Sequence, residues 1–191
     1  MTCILIDDFT TGPKPARPLT SAVDSSYQRI TTNPDFPVRH PWFWISSPES
    51  AQPGTLDISS AGRLTVGTGP HVYHRLDVVY GFGEDGTVGP LHLDLSKFNG
   101  FRLNFDFNDL PLQCQMLIWS DSGATYSHNN ATDTPASFTP FSIEFPFTGT
   151  PARRGFVGAA RQSDIDIILF LTQPASLGGA NDFKIRSFEI Y

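Results

Sequence analysis

Cysteine is nearly missing from this sequence: Cys3 and Cys114 are the only two in 191 residues. A disulfide framework is therefore excluded as the main source of stability. Both fall in expected strands and are read as buried free thiols, with one inter-strand disulfide as the alternative. Charge is scarce as well, at 17% of residues, and its basic side is the scarcer: 13 Lys and Arg face 19 Asp and Glu, for a net charge of −6. No basic patch or stripe is present, which argues against nucleic acid and against an anionic membrane as partners. No apolar run approaches the ~20 residues needed to cross a bilayer. The opening MTCILIDDF lacks both the basic n-region and the apolar core of a secretion signal, so a soluble, cytoplasmic protein is expected.

Segments of helical period and internal repeats are also missing, as are the G-x-S-x-G, H-E-x-x-H and Cys-His patterns of hydrolases and metalloproteases. Gly81-Phe82-Gly83-Glu84-Asp85-Gly86 matches G-x-G-x-x-G by letter, but a dinucleotide site needs that loop to open a helix. The following TVGPLHLDLS reads as strand, so no nucleotide cofactor is expected. His71 and His74, three apart on a strand, face opposite ways. His40, His92 and His128 have no ligand spacing near them.

What the chain does have is aromatic mass and turn formers: 16 Phe, 16 Gly and 16 Pro. Its length suffices to bury a core without covalent staples. From Phe101 to Phe107 apolar residues occupy every second position, with Arg102, Asn104, Asp106 and Asn108 between them. That period of two predicts a strand with a phenylalanine core face and a polar face. Asn108-Asp109-Leu110-Pro111 is a turn, and Leu112–Trp119 alternates again, with Gln113, Gln115, Leu117 and Trp119 on one side. Read as a hairpin, the two strands place Arg102, Asn104, Asp106, Gln113, Gln115 and Trp119 on one polar wall.

Further strands are expected at Cys3–Phe9, at a hairpin of Thr55–Ser59 with Arg63–Gly67, at Val72–Tyr80, at Leu91–Leu95 and at an edge segment within Phe138–Phe147. Thr125–Ala136 reads as a polar connection. On Ile165–Thr172 the expectation is Ile165, Ile167, Leu169 and Leu171 inward, with Asp166, Ile168, Phe170 and Thr172 on the other face. The closing strand, Asp182–Tyr191, carries apolar residues on both sides and is expected to be covered on both. Between Pro13 and Pro53 lie eight prolines and little periodicity, so this span reads as a long irregular loop. Its cluster His40-Pro41-Trp42-Phe43-Trp44-Ile45 should pack on the sandwich, plugging an edge or forming a rim over the polar face. About ten short strands with turn signals predict an all-β antiparallel sandwich of jelly-roll type, one domain over residues 1–191 with 13–53 as a loop insertion.

Three stretches resemble the galactose-binding-like β-sandwich of many carbohydrate-binding modules and of the intermediate-associated protein 30 type of domain. They are Ile6-Asp7-Asp8-Phe9, Leu93-Asp94-Leu95-Ser96 with Phe98-Asn99-Gly100-Phe101, and Asn181-Asp182-Phe183-Lys184-Ile185. The resemblance implies that first and last strands lie together and that a structural calcium bridges them, here through Asp7 or Asp8 with Asp182. The alternative leaves Asp7 and Asp8 as solvated strand-end residues.

Two functions fit the polar wall. Sugars stack their C–H faces on Trp and Tyr and pair their hydroxyls with Asp, Asn, Gln and Arg, so the wall suits a glycan, with Tyr73, Trp42, Trp44 and Phe170 as further contacts. The alternative is a small intracellular cyclase or isomerase that folds an apolar substrate in the same pocket and protonates it with a buried Asp106 or Asp166. A carboxylate pair of that kind could also cleave a glycosidic bond. Arg102, beside Asp106, favours a plain ion-pair network instead.

Overall fold

The computed structural model describes residues 3–19, 22–31, 33–46, 53–59, 61–149, 155–176 and 180–191. These form fourteen strands: β1 (Ile4–Asp7), β2 (Ala22–Ser25), β3 (Gln28–Arg29), β4 (Val38–Ser46), β5 (Gly54–Ser59), β6 (Arg63–Thr68), β7 (Tyr73–Tyr80), β8 (Gly100–Asn108), β9 (Leu112–Ser120), β10 (Thr125–Asp133), β11 (Phe141–Pro146), β12 (Val157–Gly158), β13 (Ile167–Pro174) and β14 (Phe183–Ile190). No described helix is long and apolar enough to cross a membrane. One sheet, A, runs β11-β8-β14-β6-β5 with β1 added on β14. The other, B, runs β12-β10-β9-β13-β7-β4-β2 with β3 added on β4. All pairings are antiparallel.

Numbering β6, β7, β8, β9, β10, β11, β13 and β14 as one to eight, sheet A reads six-three-eight-one and sheet B five-four-seven-two. That interleaving is the jelly roll, in which the chain keeps switching sheets. It also corrects the expected hairpin. The link Asp109–Pro111 carries the chain from sheet A to sheet B, so β8 and β9 do not pair and their polar faces point out of opposite sides of the sandwich.

Inner faces meet as the period-two pattern requires. Phe101, Leu103 and Phe105 of β8 and Leu112, Cys114, Met116 and Ile118 of β9 are all fully buried. Phe188 joins the layers: from sheet A its ring lies 5.3 Å from Phe170 and 5.7 Å from Tyr80, both on sheet B. Two bulges explain where simple alternation failed. On β8 the pairing steps from Phe107 to Phe105 and skips Asp106, so Phe107 turns outward beneath the Lys184 ammonium, 5.6 Å from its ring. On β14 the pairing steps from Ile185 to Ser187 and skips Arg186. The extra residue resets the parity, which puts Phe183 and Ile185, then Phe188 and Ile190, on the same inner face.

The segment expected as an irregular loop contains three strands, β2, β3 and β4. Within β4, Phe43 and Ile45 point in and Trp42 and Trp44 point out, so the cluster is neither plug nor rim but part of sheet B. Pro41 falls opposite the break between β2 and β3, where a missing donor costs little. Thr125–Asp133 is a strand rather than a connection, and Leu91–Leu95 makes a single bridge, Leu93 to Ile165. The hairpin β5–β6 and the edge strand β11 lie where expected. Both thiols are free; Cys114 is buried, but Cys3 is exposed.

Candidate functional site

The outer face of sheet B collects aromatic and hydrogen-bonding groups from strands remote in sequence. Across the sheet, one register row runs Trp42, Asp77, Leu171 and Gln115. The next runs His40, Val79, Leu169, Leu117 and His128. Ile167, Trp119 and Tyr126 follow at one margin. Thus Trp42, Trp44, Tyr73, Gln113, Gln115 and Trp119, each expected as a ligand contact, share one face.

Val79, Leu169 and Ile167 form an apolar floor, and with Trp42, Asp77, Phe82, Trp119 and Gly123 they line a depression of about 280 Å³. On one flank Trp42 is 39% exposed and Trp44 43%, their rings 6.0 Å apart at 63°. Behind Trp42 the stack continues to His40 at 5.6 Å and from His40 to Tyr27 at 4.0 Å. Burial pushes the His40 pKa down, so the ring is a neutral spacer in that stack. On the opposite flank Tyr126 is 55% exposed beside Trp119. Phe82 reaches the floor from the loop after β7. That loop leaves through Gly81 at φ +107°, where a Cβ would meet the Asp166 carbonyl at 2.3 Å, so only glycine fits.

Polar groups on this face are ordered by one another. Arg75 donates to both Asp77 oxygens, at 2.8 and 2.7 Å, and lies 5.8 Å from the Trp44 ring. That bidentate contact pushes the Arg75 pKa above its ordinary value. Tyr73 donates to Gln173 at 2.9 Å, and Gln173 donates in turn to Gln113. Arg75, Asp77, Phe82 and Tyr126 were not singled out from sequence. The alternation Tyr73, Arg75, Asp77, Val79 does place Arg75 and Asp77 on one face, but nothing local says that this face adjoins Trp119.

The remaining expected residues lie elsewhere. Arg102, Asn104 and Asp106 project from the outer face of sheet A, where each is already engaged. Arg102 donates to Glu144 at 2.9 Å and covers the Tyr191 ring at 4.6 Å. Asn104 donates to Ser187 and to Glu189, both at 2.8 Å. Asp106 pairs with Arg63 and lies 3.9 Å from Arg186. Phe170 is wholly buried between the sheets, because β13 turns Ile168, Phe170 and Thr172 inward and Ile167, Leu169 and Leu171 outward, the reverse of the expected parity. Asp106 and Asp166 belong to different sheets and form no catalytic pair.

The acids that the resemblance pairs at a calcium, Asp7 or Asp8 with Asp182, also have other surroundings. Asp7 faces Phe188 on β14, whereas Asp182 precedes Phe183, five residues back along the strand and on the order of 15 Å away. Asp7 is buried with the Arg39 guanidinium 2.6 Å from it, so an arginine stands where a cation was expected. Asp8 accepts from Thr10 N–H at 3.0 Å and from its hydroxyl at 2.6 Å in a turn of its own. Asp182 accepts from Thr68 N–H at 3.1 Å.

No family model matches the chain, and no curated protein matches it in sequence. Among solved structures it is similar to the family 11 carbohydrate-binding module of the cellulosomal cellulase Lic26A-Cel5E of Clostridium thermocellum, at 14% identity and TM-score 0.47, covering 100% of this chain and 94% of that one. It is also similar to the family 11 module from Clostridium thermocellum in complex with a β-1,3-1,4-mixed-linked tetrasaccharide, at 14% identity and TM-score 0.43 over 98% and 94% of the two chains. The xyloglucanase domain of NopAA from Sinorhizobium fredii, in complex with cellobiose, follows at 10% identity and TM-score 0.39 over 92% and 97%.

Proposed function

We propose that the outer face of sheet B binds a glycan. The observation that carries the reading is the exposed pair Trp42 and Trp44, standing beside the Arg75–Asp77 and Tyr73–Gln173–Gln113 hydrogen-bonding strips in an open groove. Indole faces take the C–H faces of sugar rings, and oriented carboxylate, guanidinium and amide groups take the hydroxyls. The cyclase reading needs an enclosed cavity with an unpaired carboxylic acid. The carboxylate beside this depression, Asp77, instead accepts two hydrogen bonds from Arg75.

Affinity electrophoresis against soluble β-glucans, xyloglucan, agarose-type galactans and unrelated polysaccharides tests the proposal. The wild-type chain should be retarded by at least one of them. Trp42→Ala and Trp119→Ala should each weaken that interaction by about five- to thirtyfold, because each removes a stacking surface of roughly 1–2 kcal/mol. Arg102→Ala, on the far sheet, should bind as wild type. Retardation untouched by both Trp substitutions, or lost in Arg102→Ala, would remove the site from this face.

A further inference from the structure

We propose that His92, Asp164 and Asp166 form a binding site for a divalent transition-metal ion, with zinc the best fit. They are 72 and 2 positions apart in sequence, so no local spacing announces them. The fold brings them together through one bridge. Leu93 and Ile165 exchange backbone hydrogen bonds at 2.9 and 2.8 Å, and Leu91 N–H donates to the Asp166 carbonyl at 3.0 Å. In such an antiparallel pair the residues flanking the bridge turn to the other face. His92 is thereby set against Asp164 and Asp166, all turned away from Ile165, whose side chain lies in the core.

The geometry is that of a ligand set. His92 Nδ1 lies 3.2 Å from Asp164 Oδ1 and 3.6 Å from Asp166 Oδ1, and all three atoms lie within 4.8 Å of one another. Tetrahedral zinc with bonds of about 2.0–2.1 Å requires neighbouring ligand atoms about 3.3 Å apart. An imidazole with two carboxylates suits zinc, whereas calcium prefers a shell of oxygens.

A second observation comes from burial. The Asp166 side chain is only 3% exposed; its Oδ2 accepts from Ser122 N–H at 2.6 Å, but its Oδ1, the oxygen aimed at His92, has no hydrogen-bond partner. A buried carboxylate oxygen left without a donor carries a desolvation penalty that a bound cation would offset. Arg161, drawn mainly to Asp121, reaches Asp164 only at 4.0 Å, and His92 Nδ1 shares a 3.2 Å hydrogen bond with Asp164 Oδ1, which leaves Asp166 Oδ1 as the oxygen without a donor. The exposed His92 and half-buried Asp164 leave the site open on one side for entry and for a water as fourth ligand.

Calorimetric titration of zinc chloride into the chelator-treated full chain, with thermal unfolding in parallel, tests this. One zinc per chain should bind and raise the melting temperature. His92→Ala, whose side chain is 69% exposed in the parent and so leaves the fold intact, should lose at least tenfold in zinc affinity and most of the thermal shift. Asp166→Asn, which keeps an acceptor for Ser122 N–H, should do the same. Zinc binding that persists in His92→Ala, zinc binding absent from the wild type, or a calcium-induced shift of equal size in wild type and His92→Ala would each overturn the assignment.

Discussion

Replacing Arg39 by Met is expected to destabilise the protein by about 3–5 kcal/mol, the usual cost of removing one member of a buried ion pair. Arg39 is wholly inaccessible, and every part of its head is used. Nη1 meets Asp7 at 2.6 Å, Nε donates to Gln28 at 3.0 Å, and Nη2 donates to the carbonyls of Thr11 and Gly12 at 2.9 and 2.8 Å. Asp7 in turn accepts from Tyr80 at 2.9 Å and from Phe9 N–H at 2.8 Å. One guanidinium thus ties β1, β3, β4, β7 and the turn after β1 into a single knot at the end of the strand that carries Trp42 and Trp44.

Desolvation raises the Asp7 pKa, against the pull of Arg39, the Phe9 amide and Tyr80. Without Arg39 that carboxyl would face an apolar interior with only Tyr80 and the Phe9 amide, which is why one-sided removal is severe. The double variant Arg39→Met with Asp7→Leu should recover much of the loss, since two apolar groups leave no buried charge. Urea unfolding of wild type, single and double variants measures both effects. A single variant within about 1 kcal/mol of wild type would show that the knot is not a determinant of stability.

The knot also marks how far the sequence could be read. Asp7 was visible as an acid at the end of the first strand, but its partner lies 32 positions away among prolines, where no period of two stood out. The strand β4 hides for a related reason: Trp42, Phe43, Trp44 and Ile45 are apolar on both faces, because one face meets the core and the other is the groove. Alternation then carries no contrast. The same condition inverted the reading of β13, where Ile167, Leu169 and Leu171 outside balance Ile168 and Phe170 inside. On β7 the contrast survives, since His74, Leu76 and Val78 oppose Tyr73, Arg75 and Asp77, and the strand lies where the alternation predicts it. Sheet membership was a different matter. A three-residue link such as Asp109–Pro111 serves a hairpin or a crossing between sheets equally well, so the polar faces of β8 and β9 could be recognised but not separated.

Lowering the pH from 6.5 to 4.5 is expected to cost the wild-type protein about 2–3 kcal/mol more than a His74→Leu variant. His74 is fully buried on the inner face of β7, its ring 6.0 Å from Phe43 and 5.9 Å from Phe183, and neither ring nitrogen has a hydrogen-bond partner. Burial without a partner lowers its pKa from the ordinary 6.5 to about 3. The folded state therefore holds the ring neutral, while the unfolded chain takes up a proton near pH 6.5. Stability from this source is complete above that pH and is lost as pH falls toward 3, at about 1.4 kcal/mol per unit. Carboxylates that titrate in the same window act alike in both proteins, so the difference between two urea-unfolding series isolates the ring. Above pH 7 the leucine variant should equal or exceed wild type, because it removes two unpaired nitrogens from the core without opening a large cavity. Parallel pH dependences would mean that the ring finds a proton acceptor in the folded state. With none in reach, acid should unfold this sandwich from the core outward, through a histidine that takes no part in the groove.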